Sequence, residues 1–239
     1  KLYEENKIQY QELITDVLSR GEFIMGSDLL KFEKNLSKFL GCKHAIGVAD
    51  GTAALIFSLK AAGIKQGDEV ILSSHTFIAT ASAVKSVGAI PVICDCNEDS
   101  MMNVKSATAM INNKTKAIMP TQLNGRTCDM DEIIKISEEY NLKIIEDSCQ
   151  ALGAKYKNKF AGLFGVAGSF SFYPAKTLGC FGDGGAVVTN DDNIASYIRQ
   201  LRDHGRDTNG KVKIWGHNGR LDNLHASILN YKLTELTKY

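Results

Sequence analysis

The sequence predicts an α/β fold built on a mostly parallel central sheet with helices on both faces. Two observations carry this. Seven short runs are rich in β-branched and apolar residues, and most are continuously apolar, as strands buried on both faces should be. Between the first five of them lie stretches with helical apolar spacing, and strand–helix alternation builds parallel sheets. The runs are "AIGVA" (45–49), "EVILS" (69–73), "AIPVICD" (89–95), "KAIMPT" (116–121), "LKIIED" (142–147), "GSFSFY" (168–173) and "GAVVTN" (185–190). The helical stretches are "TAALIFSLKAAG", "IATASAVKSVG", "KSATAMINN" and "MDEIIKISEEYN". The last two strands follow each other without a long helix between them, so one of them is expected to run antiparallel. A helical segment over about residues 1–40 precedes the first strand. "DDNIASYIRQLRDHG", opened by an Asp cap, and "RLDNLHASILNYKLTEL" add two helices at the end.

At 239 residues the chain is long enough for one large domain with its own core. It is 44% hydrophobic and 23% charged, with a net charge of +1, which gives no reason to expect a nucleic acid or an anionic membrane as partner. No apolar run spans a bilayer, and the polar start "KLYEENKIQYQEL" is not a signal peptide. The six cysteines lack the paired spacing of a zinc site, and they fit a reducing, cytoplasmic setting with free thiols. No metal site is expected.

In an open parallel sheet, ligands bind beyond the carboxyl ends of the strands, so the residues at those ends are the informative ones. After the first strand comes "ADGTAAL". Gly51, Thr52 and Ala53 open a helix whose free N–H groups make a phosphate seat, although the stretch alone also reads as a simple helix cap. After the second strand stands Phe77, which either stacks on a flat ligand or belongs to the core. Asp147 ends the fifth strand, and a carboxylate there needs a partner. A cation or a helix N-terminus would serve, as would a protonated ring nitrogen with Gln150 donating to a nearby oxygen. Ser171 and then Lys176 follow the sixth strand, in "SFYPAKTLGCFGDGG". A lysine beside a phosphate seat, a stacking ring and a carboxylate suits a Schiff base with pyridoxal 5'-phosphate. Asp183 in the glycine turn reads as a turn residue. His204 and His217 read as surface or helix-end residues.

The chain resembles the DegT/DnrJ/EryC1/StrS family of pyridoxal-phosphate-dependent nucleotide-sugar aminotransferases, of fold type I. "FIMGSDLLKFEKNLSKFLG", "VADGTAAL", "GIKQGDEVILSSHTFIATASAV", "GAIPVICD", "EDSCQALGA", "FSFYPAKTLGCFGDGGAVVTN" and "HNGRLDNLHASIL" carry the resemblance almost from end to end. It implies that residues 1–239 are the cofactor-binding large domain of that fold, without the family's small C-terminal domain. By resemblance Lys176 is the Schiff-base lysine and Asp147 pairs with the pyridine nitrogen; these two are the catalytic residues. Gln150 meets the ring hydroxyl and Phe77 stacks on the ring. Gly51, Thr52, Ala53 and Ser171 hold the phosphate. Asn218 reaches the phosphate bound by a partner subunit, so a homodimer shares its active sites.

The reaction implied moves an amino group from L-glutamate to a keto group of a nucleotide-linked sugar. One departure bears on the sugar: where the family loop reads like "PVHLYG", this chain has "PTQLNG", with Gln122 and Asn124 in place of a histidine and an aromatic residue. Three other readings compete. A desulfurase would need an exposed reactive cysteine, for which Cys180 is the nearest candidate. A sugar dehydratase of the family would carry histidine at position 176. A non-catalytic regulatory module or inactive fragment would carry the same fold without turnover.

Overall fold

Seven strands form one sheet in the order β1-β9-β8-β5-β4-β2-β3 in the computed structural model, which describes residues 2–236. Three helices come first: α1 (Leu2–Glu5), α2 (Lys7–Arg20) and α3 (Ser27–Leu40). The alternating part runs β1 (His44–Val48), α4 (Gly51–Ala61), β2 (Glu69–Ser73), α5 (Ile78–Ser86), β3 (Ile90–Cys94), α6 (Val104–Ala109), β4 (Thr115–Met119), α7 (Met130–Glu139) and β5 (Lys143–Asp147). A two-stranded hairpin, β6 (Lys155–Tyr156) and β7 (Lys159–Phe160), leads to β8 (Ala167–Ser171) and β9 (Gly185–Thr189). Helices α8 (Asp192–Arg202) and α9 (Asn223–Leu236) follow.

The strands β3, β2, β4, β5 and β8 pair in parallel. β9 is antiparallel to both β8 and β1, so it alone runs against the rest of the sheet. All the other strands therefore end on one edge, and β9 begins there.

Both faces are covered, which explains the continuous apolar strands. Along β2 the side chains alternate between two cores: Val70 and Leu72 pack with Leu55 and Leu59 of α4, whereas Ile71 packs with Ile118, Ile133 and Met130. At the other end of the sheet, α3 and α9 cover Phe170, Phe172 and Val188 with Leu29, Phe32 and Leu229. Each buried side chain of this size contributes about 1.5–3 kcal/mol relative to exposure. The helices start where the sequence places caps: Asp50, Asp129 and Asp191 each accept backbone N–H bonds at the openings of α4, α7 and α8. No helix among the described residues is long and apolar enough to cross a membrane.

Candidate active site

A cleft of about 690 Å³ opens at the shared strand edge, lined from five strand ends at once. β1 delivers Asp50, Gly51 and Thr52; β2 delivers Thr76 and Phe77; β4 delivers Thr121. β5 delivers Asp147, Cys149 and Gln150, and the segment after β8 delivers Ser171, Tyr173 and Lys176. Every site residue expected from the sequence lines this cleft except Ala53 and Asn218. The Ala53 amide is already held by Asp50 Oδ1 at 2.8 Å, so Gly51 and Thr52 are the residues of that turn that face the cleft. Asn218 is exposed, bridged to Asp203, and outside its own chain's cleft.

Lysine is held at the cleft by the burial of its neighbours. Phe172, Leu178 and Cys180 are sunk in the core, and the Lys176 amide closes a turn on Tyr173 O at 2.8 Å. The half-buried Lys176 side chain is left at the cleft wall. Cys180 cannot serve as an exposed nucleophile, because it is buried and its thiol is hydrogen-bonded to the carbonyls of Phe172 and Gly182. Burial raises its pKa further.

Asp147 is nearly enclosed, 4% exposed, and its two carboxylate oxygens have separate partners. Oδ1 accepts the Cys149 N–H at 3.2 Å and Oδ2 accepts the Thr80 hydroxyl at 2.7 Å. Gln150 accepts the Asn124 N–H on Oε1 at 3.3 Å, which leaves its Nε2 as a donor. Phe77 is not a core residue. It is 68% exposed and stands at the cleft as the N-cap of α5. Asp183 also lines the cleft, a position its glycine turn did not reveal.

The phosphate seat is visible in the packing. A Cβ at Gly51 would come within 2.8 Å of Ser171 Cβ and 3.0 Å of Cys149 Sγ, so only glycine lets the start of α4 approach these residues. That approach brings the Ser171 hydroxyl alongside the helix N-terminus, where free N–H groups favour an anion. Thr76, Thr80 and Thr121 were not singled out in the sequence; they join segments that are far apart in the chain and leave no local signal.

The Gln122 side chain is fully buried. Its place in the "PTQLNG" loop therefore does not put it against a substrate, and it bonds to Glu146 instead. Asn124 is exposed, as is Gly125 after it, and it lies in the left-handed region at φ 52.

The sequence profile of the DegT/DnrJ/EryC1/StrS aminotransferase family matches residues 4–239. The chain belongs to this family. The family is pyridoxal-phosphate-dependent, and the residues lining the cleft fit that cofactor: an amine, a buried carboxylate, an exposed ring and an anion seat at a helix N-terminus. The chain is 38% identical over 238 residues to the dTDP-3-amino-3,4,6-trideoxy-alpha-D-glucose transaminase of Streptomyces venezuelae, covering 99% of this chain and 63% of that protein. It is likewise 38% identical over 238 residues to a "pleiotropic regulatory protein" of Geobacillus stearothermophilus, with 99% and 64% covered. The structure superposes on DesV of S. venezuelae, solved with a ketimine intermediate, with a TM-score of 0.96 at 38% identity, covering 100% of this chain and 64% of that one. This DegT/DnrJ/EryC1/StrS chain thus spans less than two thirds of the length of such relatives.

Proposed function

We propose that the chain supplies the cofactor-binding and catalytic part of an aminotransferase that moves an amino group from L-glutamate to a keto group on a nucleotide-linked sugar. The observation that carries this reading is the meeting of Lys176, Asp147, Phe77 and the Gly51–Ser171 seat on one cleft. Bound there, pyridoxal 5'-phosphate supplies an electron sink for the carbon that gains or loses the amine.

The chain's own residues do the rest. Gly51 and Thr52 N–H groups with the Ser171 hydroxyl hold the phosphate. Phe77 covers the ring face, and Gln150 Nε2 donates to the ring hydroxyl. Asp147 holds a proton at the pyridine nitrogen. Lys176 Nζ anchors the cofactor covalently. Its Nζ, once free, would take the proton from the donor's α-carbon as general base and deliver it to the cofactor's C4' as general acid. Asn218, outside the cleft of its own chain, completes the seat of a partner subunit in a homodimer. The setting proposed is the cytoplasm, where nucleotide sugars and glutamate meet.

The sugar part of the reading rests on relatives such as the S. venezuelae transaminase. The name of the G. stearothermophilus relative favours a second reading, a regulatory protein that binds the cofactor without turnover. Lys176 at the cleft speaks for catalysis over that reading, and against the dehydratase reading, which calls for histidine there.

Absorbance separates the two. The chain mixed with pyridoxal 5'-phosphate should show a protein-bound band that L-glutamate bleaches, with release of 2-oxoglutarate, and Lys176→Ala should show neither. A bound band that glutamate leaves unchanged would decide for the regulatory reading. A panel of nucleotide-linked 3-keto and 4-keto sugars then identifies the acceptor.

A further inference from the structure

A chain of three threonine hydroxyls ends on Asp147. Thr121 Oγ1 donates to Thr76 Oγ1 at 3.0 Å, Thr76 Oγ1 lies 2.6 Å from Thr80 Oγ1, and Thr80 Oγ1 lies 2.7 Å from Asp147 Oδ2. Each hydroxyl has one proton to give, so the chain has a direction. Thr80 is also 3.0 Å from the Phe77 carbonyl. Between a carboxylate and a neutral carbonyl the charged acceptor makes the stronger bond, so the proton goes to Asp147. Thr80 is then left to accept from Thr76, and Thr76 from Thr121. The hydroxyls polarise one another toward the carboxylate.

We propose that Thr80 is a positioning residue that fixes the Asp147 carboxylate and the Phe77 ring relative to each other. This rests on the cofactor reading above. The terminal torsion of an aspartate is soft, so a lone carboxylate would turn freely. Here Oδ1 is held by the Cys149 N–H and Oδ2 by Thr80, which fixes the orientation of the carboxylate at the cleft wall. Thr80 is fully buried and lies one helical turn after Phe77, the N-cap of the same helix. The Thr80 backbone N–H donates to the Phe77 carbonyl at 3.1 Å while its hydroxyl donates to Asp147, so one residue ties the residue that covers the ring to the residue that meets its nitrogen. Thr80 acts through them, since it does not itself line the cleft.

The test uses the full chain loaded with pyridoxal 5'-phosphate, with Thr80→Val, Thr80→Ser and Thr76→Val compared with the parent. Valine keeps the shape and removes the hydroxyl; serine keeps the hydroxyl. Cofactor uptake should stay within a few-fold for all three, because the phosphate seat is untouched. Thr80→Val should lower kcat for the glutamate half-reaction by about tenfold to a hundredfold, the cost of small misplacements at a reacting centre. KM should change little, and the circular dichroism of the bound cofactor's visible band should change, reporting an altered ring orientation. Thr80→Ser should restore both readouts, and Thr76→Val should shift both in the same direction by less.

Thr80→Val with the parent's dichroism and rate would overturn the proposal. So would a serine variant as impaired as valine, which would place the effect in the methyl group's packing. Should Thr80→Val not fold, Thr76→Val carries the test, and the parent's dichroism in that variant would overturn the relay. A parent that takes up no cofactor would remove the cofactor reading and this one with it, an outcome distinct from the others.

Discussion

Gln122 donates from Nε2 to Glu146 Oε2 at 2.9 Å, and both side chains are fully buried. The same carboxylate accepts backbone N–H bonds from Gly162 at 2.8 Å, Phe164 at 2.6 Å and Gly165 at 3.0 Å. Burial pushes the Glu146 pKa up, while these four donors pull against that. Gln122 Oε1 in turn accepts the Cys128 N–H at 2.7 Å. The pair therefore joins the loop of Gln122 to the segment 162–165 through β5, the strand that also carries Asp147. Gln122→Ala should destabilise the fold by about 2–4 kcal/mol, because it strips a donor from a buried carboxylate and an acceptor from a buried amide. Acceptor-sugar preference should stay unchanged. Urea unfolding and the sugar panel together check this; an altered preference at unchanged stability would place Gln122 against the substrate.

A buried charge pair ties the N-terminal helices to the sheet edge. Arg202 Nη1 donates to Glu33 and, at 2.7 Å, to the Gly47 carbonyl; Glu33 Oε1 accepts the Gly47 N–H at 2.9 Å. Glu33 is 5% exposed and Arg202 is 2% exposed. Glu33→Ala leaves the arginine buried without its counter-charge and should cost about 3–5 kcal/mol. Arg199, which reaches Glu33 Oε2 from a far more exposed position, should cost no more than about 1 kcal/mol when replaced by alanine. Denaturant midpoints of the two variants decide it, and equal losses would refute the assignment.

The strands were legible because burial on both faces writes itself into the sequence as unbroken apolar runs. Each of the seven predicted runs coincides with a strand to within a residue or two. The hairpin β6–β7 was not legible, since "KYKNKF" looks like solvated loop. Its lysines lie over aromatic rings instead, with Lys155 Nζ 4.3 Å from the Phe160 centroid and Lys159 Nζ 4.9 Å from that of Phe164. At the site, Asp147, Phe77 and Ser171 were readable because each follows its own strand, and the fold sends all strand ends to one edge. Thr80 was not, because its meaning lies in a bond to a residue 67 positions away. The helix-cap reading of "ADGTAAL" also holds, with Asp50 as the capping side chain, because a phosphate seat and an ordinary cap open with the same residues.

Three thiols shielded by packing, Cys42 half-buried and Cys94 and Cys128 buried, make a pH-dependent prediction. Burial raises the pKa of Cys42 and Cys128 to about 11 and that of Cys94 to about 12. At pH 8 a thiol with a pKa near 11 is about one thousandth thiolate, so these residues should alkylate slowly in the folded chain. Each unit of pH should speed labelling about tenfold, and urea should expose all three. The sign for stability follows: the folded state holds these protons more tightly, so stability falls as pH rises above the ordinary thiol value of about 8.5. Peptide mapping by mass spectrometry reads the labelling. Prompt modification of Cys94 at pH 8 without denaturant would contradict it.

Asp147→Asn separates charge from shape at the cleft. The amide keeps the size of the side chain but cannot hold a proton at a ring nitrogen. Cofactor should still load through the Gly51–Ser171 seat, while the glutamate half-reaction should slow by about a hundredfold or more, the typical worth of one preorganised charge. Absorbance of the loaded variant and its single-turnover rate give the answer. A variant as fast as the parent would reduce Asp147 to a structural anion.

The last prediction concerns the two-chain site. Asn218 is exposed on the segment after α8, bridged to Asp203 and outside its own cleft, so its proposed contact with a cofactor phosphate requires a second chain. Two-fold symmetry would then give each site a lysine from one subunit and an asparagine from the other. Lys176→Ala and Asn218→Ala should each be impaired as homodimers. In a mixed dimer the two defects fall together in one site, because the Lys176→Ala cleft faces the Asn218→Ala chain. The other site is then intact, and activity should return on mixing to about half that of the parent for each mixed dimer. Differently tagged chains, purified through both tags, supply the mixed species. If those dimers form but stay as inactive as their parents, Asn218 does not complete a neighbour's site.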